Sequence, residues 1–436
     1  MLTLDSGLEF DSSRDAEFFS ALPPLPAVCL IEPRQSSAQP LFIRTQDLRR
    51  RLQRLLGPLD STSKRLNLRD FAKNIRYRVT ASAFEQTFAY YQNAKKLFLR
   101  RYQDMLRIRP PVLLKVNLRN AYPRCYATRK ISVGLNGEPC GGLYYGPFSS
   151  RKAGEAFAER ALDLFKVRRC QIKIRRDPEF PGCIYSEMKM CLAPCFAGCT
   201  KEEYDVEVQH LVAFLETGGA SLRETLEAER NQSSEAMDFE KAALLHKKVD
   251  KLDDALRGQP ELPRLLQDLN AVVLQRAVAD QTIAVYEVRA GRIVEPFELS
   301  FASLAGDPRS AEQLLRQHLE PTEAVEANQT IINQSAPRKV VIPGSPAPAG
   351  AESNLSDSSG ATAAIDLSEN LWLLARWFYS SPRQGEIFFR ANDWPYRRMM
   401  RGCARLLAPP EAQPRLPQQN KASQQDDLPQ PGEERE

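Results

Sequence analysis

The sequence contains no run of 18 consecutive apolar residues, the length a membrane-crossing helix needs. No membrane span and no membrane partner are expected. Its first residues, MLTLDSGLEFDSSRDAEFF, are acidic and lack the basic start and apolar stretch of a secretory signal. The expected compartment is therefore the cytoplasm, where thiols stay reduced. Histidine is scarce as well, with three residues in 436, the last of them His318. No internal repeat is present, which argues against a solenoid or propeller. What remains is an ordinary globular composition, 42% hydrophobic and 26% charged, in a chain long enough for two to four domains.

The net charge of +5 conceals an asymmetry. Residues 41–130 hold 22 Lys and Arg against 5 Asp and Glu, a net of +17. Residues 131–180 hold 9 against 6, so the rest of the chain carries −15. A basic first half points to a polyanion, and an acidic second half points to a protein partner. The helix QDLRRRLQRLL carries Leu48, Leu52, Leu55 and Leu56 on one face. Arg49, Arg50, Arg51 and Arg54 fall mostly on its other faces, as a sequence-independent grip on DNA phosphates would require.

Five of the nine cysteines lie between Cys170 and Cys199, spaced C-x12-C-x7-C-x3-C-x3-C. In a reducing compartment such a cluster reads as a metal or iron–sulfur site rather than a disulfide knot. Arg168 and Arg169 stand beside the first cysteine and are candidate DNA contacts.

Taken in order, residues 1–20 read as a loose acidic leader. LPAVCLIE and PLFIRT then read as two strands, followed by the arginine-rich helix, the strand IRYRVT and a long helix from Ser82 to Leu106 opened by the capping-box string SAFE. Residues 112–133 read as two strands, Gly141, Gly142, Gly146 and Pro147 as a turn, and the next helix starts at Ser149 or Ser150. Thr200 to Leu256 reads as helices, the last two antiparallel with a turn near Met237–Asp238 and a stripe of Phe239, Ala243, His246, Val249 and Leu252. Three strands are expected over 271–301, a flexible insert over 324–366, a basic helix WPYRRMMRGCARLL and a disordered tail. The fold class is thus a multidomain α/β protein. Its expected units are 20–110, 111–200, 201–257 and 262–406, followed by the tail 407–436.

Several of these strings, GGLYYGPFSS, LFKVRRC, CLAPC and TKEEYDVEVQHLVAFLETG, resemble UvrC, the incision subunit of bacterial nucleotide excision repair. MDFEKAALLHKKVDKL is similar to the UVR motif, the hairpin with which that family binds UvrB, and implies partner contacts at Phe239, Glu240, Ala242 and Ala243. The resemblance also implies a [4Fe–4S] cluster on Cys170, Cys183, Cys191 and Cys195. Tetrahedral zinc is the alternative, and Cys199 can replace Cys195.

Residues 23–128 sit where that family has its GIY-YIG nuclease domain, yet most motif positions differ. The first tyrosine position is Cys29, the second is Leu41, the lysine is Arg44 and the metal-binding glutamate falls at Tyr90. Only the helix arginine is kept, as Arg51. The nearest carboxylate in that helix is Glu85. No Asp/Asp/His set of the family's second nuclease is found. The expectation is a UvrC-like, DNA-binding, UvrB-docking component whose incision is lost or impaired. The alternative is an active Mg-dependent structure-specific endonuclease.

Overall fold

The computed structural model describes residues 3–58, 66–134, 136–302, 310–320 and 357–408. They form a mixed α/β molecule built on three sheets. No helix among the described residues is long and apolar enough to cross a membrane.

The first sheet joins β1 (Ser6–Glu9), β2 (Ala27–Pro33), β3 (Leu41–Thr45) and β4 (Ala72–Val79) in the order β1-β4-β2-β3. All its pairings are antiparallel. Two helices, α1 (Asp15–Ala21) and α2 (Leu48–Leu56), cover one face through Phe18, Phe19, Leu48, Leu52, Leu55 and Leu56. The arginine-rich string forms a helix because its leucines recur at helical spacing and the Asp47 side chain accepts the Arg50 N–H at its start.

The expected leader is instead part of this unit. Leu8 sits opposite Ile75 in β4, and Phe10, Phe18 and Phe19 are buried among the acidic residues around them. Those aromatic residues supply the burial that the acidic composition disguised.

On the other face lies α3 (Ala83–Leu97), started by Ser82, whose hydroxyl accepts the Glu85 N–H. The expected single helix to Leu106 breaks: a 3-10 turn at Leu99–Arg101 precedes α4 (Tyr102–Leu106), and Arg107 ends it in the left-handed region with φ of 52°.

The second sheet holds β5 (Val112–Val116), β6 (Cys125–Thr128), β7 (Leu143–Phe148) and β8 (Arg264–Leu265), in the order β6-β5-β7-β8. The expected turn at Gly146–Pro147 is therefore strand. A Cβ at Gly146 would stand 2.7 Å from Leu113 Cδ2, so only glycine lets β7 pair that closely with β5. Against this sheet pack α5 (Arg151–Leu162), capped by Ser150, and α7 (Lys201–Thr217), capped by Thr200 and Glu203. The four-residue helix α6 (Ile184–Glu187) lies in the cysteine segment between them.

After α7 come α8 (Ala220–Glu235) and α9 (Phe239–Leu256), a hairpin that turns at Ala236–Asp238 as expected. Its buried stripe differs from the expected one. Leu245, Val249, Leu252 and Ala255 face inward, whereas Phe239, Ala243 and His246 are exposed.

The third sheet runs β11 (Arg292–Ile293), β10 (Thr282–Arg289), β9 (Ala271–Arg276), β13 (Glu386–Phe389), with β12 (Phe297–Ser300) also paired to β10. One face packs α10 (Ala311–Leu319) and α12 (Tyr396–Leu407), and the other packs α11 (Asp357–Phe378). Residues 357–366, expected within the flexible insert, are helical in α11. The rest of that insert and the tail from 409 lie outside the described residues.

The first and third sheets are joined through α3, which packs Phe84, Phe88 and Tyr91 into the same core as Tyr286, Leu371 and Trp377. At its centre is the buried carboxylate of Glu369 on α11. It accepts from Tyr91 Oη at 2.8 Å, Tyr102 Oη at 2.6 Å, Gln103 Nε2 at 2.7 Å and Lys95 Nζ at 3.1 Å. Burial, and then Glu369 itself, hold the Tyr102 hydroxyl protonated up to about pH 12. Glu369→Ala should lower the free energy of unfolding by about 3–5 kcal/mol, because it leaves the Tyr91, Tyr102 and Gln103 donors without their acceptor and takes one of two carboxylates from the half-buried Lys95. Asp366→Asn, which removes the negative charge of the second, more exposed partner of Lys95, should cost less than about 1 kcal/mol. Urea melts of the two variants measure the difference, and equal losses would contradict the assignment.

Candidate functional site

Cross-strand partners share a sheet face, and neighbours along a strand alternate. Cys29 stands opposite Ile43 and Tyr77, on the face that α1 and α2 cover. It is fully buried, and that burial pushes its thiol up to about 12. It is therefore a neutral core residue at neutral pH, unable to act as nucleophile or base. Leu41 packs half-buried against the same core.

Arg44 stands opposite Val28, on the α3 face. Its guanidinium lies 5.9 Å from the centroid of the Tyr90 ring. Tyr90 stacks on Phe42 with centroids 4.5 Å apart, and its hydroxyl donates to the Phe42 carbonyl at 3.2 Å. Burial raises the pKa of that hydroxyl, with Arg44 opposing it. The structure thus brings Arg44 to Tyr90 but separates both from Cys29 and Leu41 by the thickness of the sheet. Arg51 is exposed on α2.

Glu85 does not complete a metal site. It accepts the Ala81 N–H at 2.9 Å and faces Arg78 Nε at 3.6 Å, and burial raises its pKa. Its work is to start α3.

The candidate DNA arginines divide into two groups. Arg44, Arg50, Arg51 and Arg54 are exposed. Arg49 instead donates from Nε to the Leu22 carbonyl at 2.7 Å and from Nη2 to the Ser20 carbonyl at 3.2 Å, fastening the end of α1. The sequence did not single out Arg376 of α11. It approaches Arg44 closely enough that, after burial, the neighbouring charge depresses its pKa. No local signal could have found this pairing across more than three hundred residues.

Arg168 is not a surface cation. It is 5% exposed, and its guanidinium donates to the Tyr122 carbonyl at 2.8 Å and the Ile172 carbonyl at 2.9 Å. Its Nη1 lies 3.8 Å from Cys170 Sγ. Its backbone N–H donates to Tyr204 Oη, which in turn donates to the Pro123 carbonyl. Arg168 therefore sets the position of the cysteine segment against the second sheet. Arg169 pairs with Asp163 at 2.6 Å.

Within that segment Cys170, Cys183 and Cys195 all lie near enough to Cys191 to raise its pKa, second to burial, which takes the thiol to about 11. The Ala193 N–H donates to Cys191 Sγ at 3.3 Å. Cys199 is displaced from this group: it is buried in the core against α7 and feels Glu203, Arg176 and Cys195. Lys189, Ala193 and Ala197 all adopt positive φ, of 55°, 57° and 62°. Three non-glycine residues in that region mark a backbone held in place by its surroundings. The four thiols are neighbours and suit a soft metal or cluster by type. They are not drawn into a coordination shell: among the described residues no group of three or more His, Cys, Asp or Glu side chains stands ready to hold a metal ion.

The hairpin tip exposes Met237, Phe239 and Leu244 at 78%, 68% and 62%. Glu240 and Ala243 are exposed beside them, and Ala242 is half-buried.

Residues 112–214 match the family model described as the UvrC/Cho excinuclease middle domain. The chain is a diverged, partial relative of UvrC. It is 30% identical over 182 residues to UvrABC system protein C of Ruminiclostridium cellulolyticum, covering 42% of this chain and 29% of that one. The corresponding protein of Acetivibrio thermocellus is 25% identical over 207 residues, covering 47% and 32%. That of Symbiobacterium thermophilum is 26% identical over 234 residues, covering 52% and 35%. The chain thus spans about a third of the length of these relatives. No solved structure matches it.

Proposed function

We propose that this chain is a component of nucleotide excision repair that binds duplex DNA, docks on a UvrB-type partner and does not incise DNA with its first unit. The observation that carries the reading is the burial of Cys29, whose thiol titrates near 12, where the UvrC nuclease has a tyrosine. In-line phosphodiester cleavage needs an activated nucleophile and a metal ion or donors that meet the developing charge. Here Leu41 is apolar, Tyr90 is tied to the Phe42 carbonyl and Glu85 is tied to the start of α3. What the unit keeps is cationic: Arg44, Arg50, Arg51, Arg54 and Arg376 can hold phosphates without cutting them. An active Mg-dependent endonuclease has one residue in its favour, the exposed Arg51.

The α8–α9 tip supports partner docking, because large apolar side chains left in water beside Glu240 are the kind an interface buries. Cys170, Cys183, Cys191 and Cys195 would hold a [4Fe–4S] cluster, with zinc as the alternative. Arg168 supports an anionic ligand set. It is a buried cation whose partners are carbonyls and the Cys170 sulfur, and thiolates there would offset its charge. Such a centre would cross-link a segment that has little regular structure of its own.

One reconstitution tests the main reading. With UvrA, UvrB, Mg²⁺ and a lesion-bearing duplex, the chain should be retained with UvrB and leave the DNA uncut. Phe239→Ala should weaken retention roughly tenfold or more. Incision that Arg51→Ala abolishes would overturn the proposal. The cofactor is tested separately, by iron and sulfide content after anaerobic purification. Brown protein that loses its colour on Cys191→Ala is expected, whereas colourless protein with stoichiometric zinc would remove the iron–sulfur assignment.

A further inference from the structure

The third unit, which lies outside the matched middle domain, carries a cationic face on α12. Residues 390–408 hold five arginines and one carboxylate, Asp393. Arg405 is ion-paired to Glu386. Arg397, Arg398 and Arg401 are exposed, at spacings that place them on one side of the helix. Arg390 joins them from the preceding loop, with its guanidinium 5.8 Å from the centroid of the Trp394 ring. None of these four is ion-paired to a carboxylate among the described residues, whereas Arg69, Arg223, Arg289, Arg316 and Arg405 all are.

The opposite side of α12 is already in use. Tyr396, Met399 and Cys403 are buried with Val272, Leu274 and Phe388. Gly402 lets the helix approach so closely that a Cβ there would stand 2.6 Å from Phe388 Cζ. A basic amphipathic helix with its apolar side free would suit a membrane surface. This one has no apolar side to insert, so its arginines can meet only a polyanion in water. Guanidinium forks match phosphate oxygens in pairs, and a group of them along one turn and the loop before it suits a repeating phosphate backbone.

We infer that the exposed face of α12 is a second contact for duplex DNA, separate from the first unit and reading the phosphate backbone rather than the bases. This rests on the proposal that the chain binds DNA, and it adds the element and residues of a site in the third unit.

The test is binding of the full chain to a labelled random-sequence duplex, followed by fluorescence anisotropy over a range of salt. The variants are Arg397→Ala/Arg398→Ala/Arg401→Ala on α12 and Arg50→Ala/Arg51→Ala/Arg54→Ala on α2. The α12 triple variant should bind roughly tenfold or more weakly and lower the salt slope by about 1 per arginine removed. Its circular dichroism melt should match the wild type, because all three residues are exposed. The Arg→Lys triple at the same positions should keep most of the affinity. Unchanged affinity and slope in the α12 variant, with binding lost in the α2 variant, would overturn this inference and leave the DNA-binding proposal intact. No binding by the wild type would overturn both.

Discussion

The architecture turns on one buried carboxylate. Glu369 sits on α11, and its four donors come from α3 and α4. An ionised carboxylate removed from water is tolerated only when its lone pairs are met by donors, and at least one of these is a cation. That requirement fixes α11 against α3. It also makes the first and third sheets share a core in which Phe84 packs on Tyr286 and Trp377. Two units far apart in sequence thus form one body, and Arg376 reaches Arg44 only because of it.

The same packing accounts for the character of the first unit. A nuclease site on a small sheet needs polar groups standing free at its surface, held by a rigid scaffold. Here the scaffold has absorbed the positions. Cys29 fills the core beneath α2, Tyr90 stacks on Phe42, and Glu85 starts α3. Each is satisfied locally, so none is left poised for chemistry. The cations that remain suit retention of a phosphate backbone.

Much of this was legible in the sequence wherever the signal was local. Leucine spacing gave α2, Ser82 and Ser150 gave helix starts, and the turn at Met237–Asp238 gave the hairpin. Misreadings came where distant contacts decide. Leu8, Phe10, Phe18 and Phe19 look like part of an acidic leader until β4 and α2 are present to cover them. Gly146 and Pro147 look like a turn because nothing local announces that Leu113 will lie against them. Arg49 and Arg168 look like surface cations, yet each fastens carbonyls that only the fold supplies. The stripe of Phe239, Ala243 and His246 has helical spacing, but helical spacing alone does not say which side is buried.

The central proposal is that the first unit lacks metal-dependent chemistry because Cys29 and Tyr90 are buried and Glu85 is tied to the start of α3. Manganese binding measured by electron paramagnetic resonance tests it without relying on any partner protein. The account predicts no stoichiometric Mn²⁺ site in the purified chain at neutral pH. One bound Mn²⁺ per chain, lost on Glu85→Gln, would contradict it.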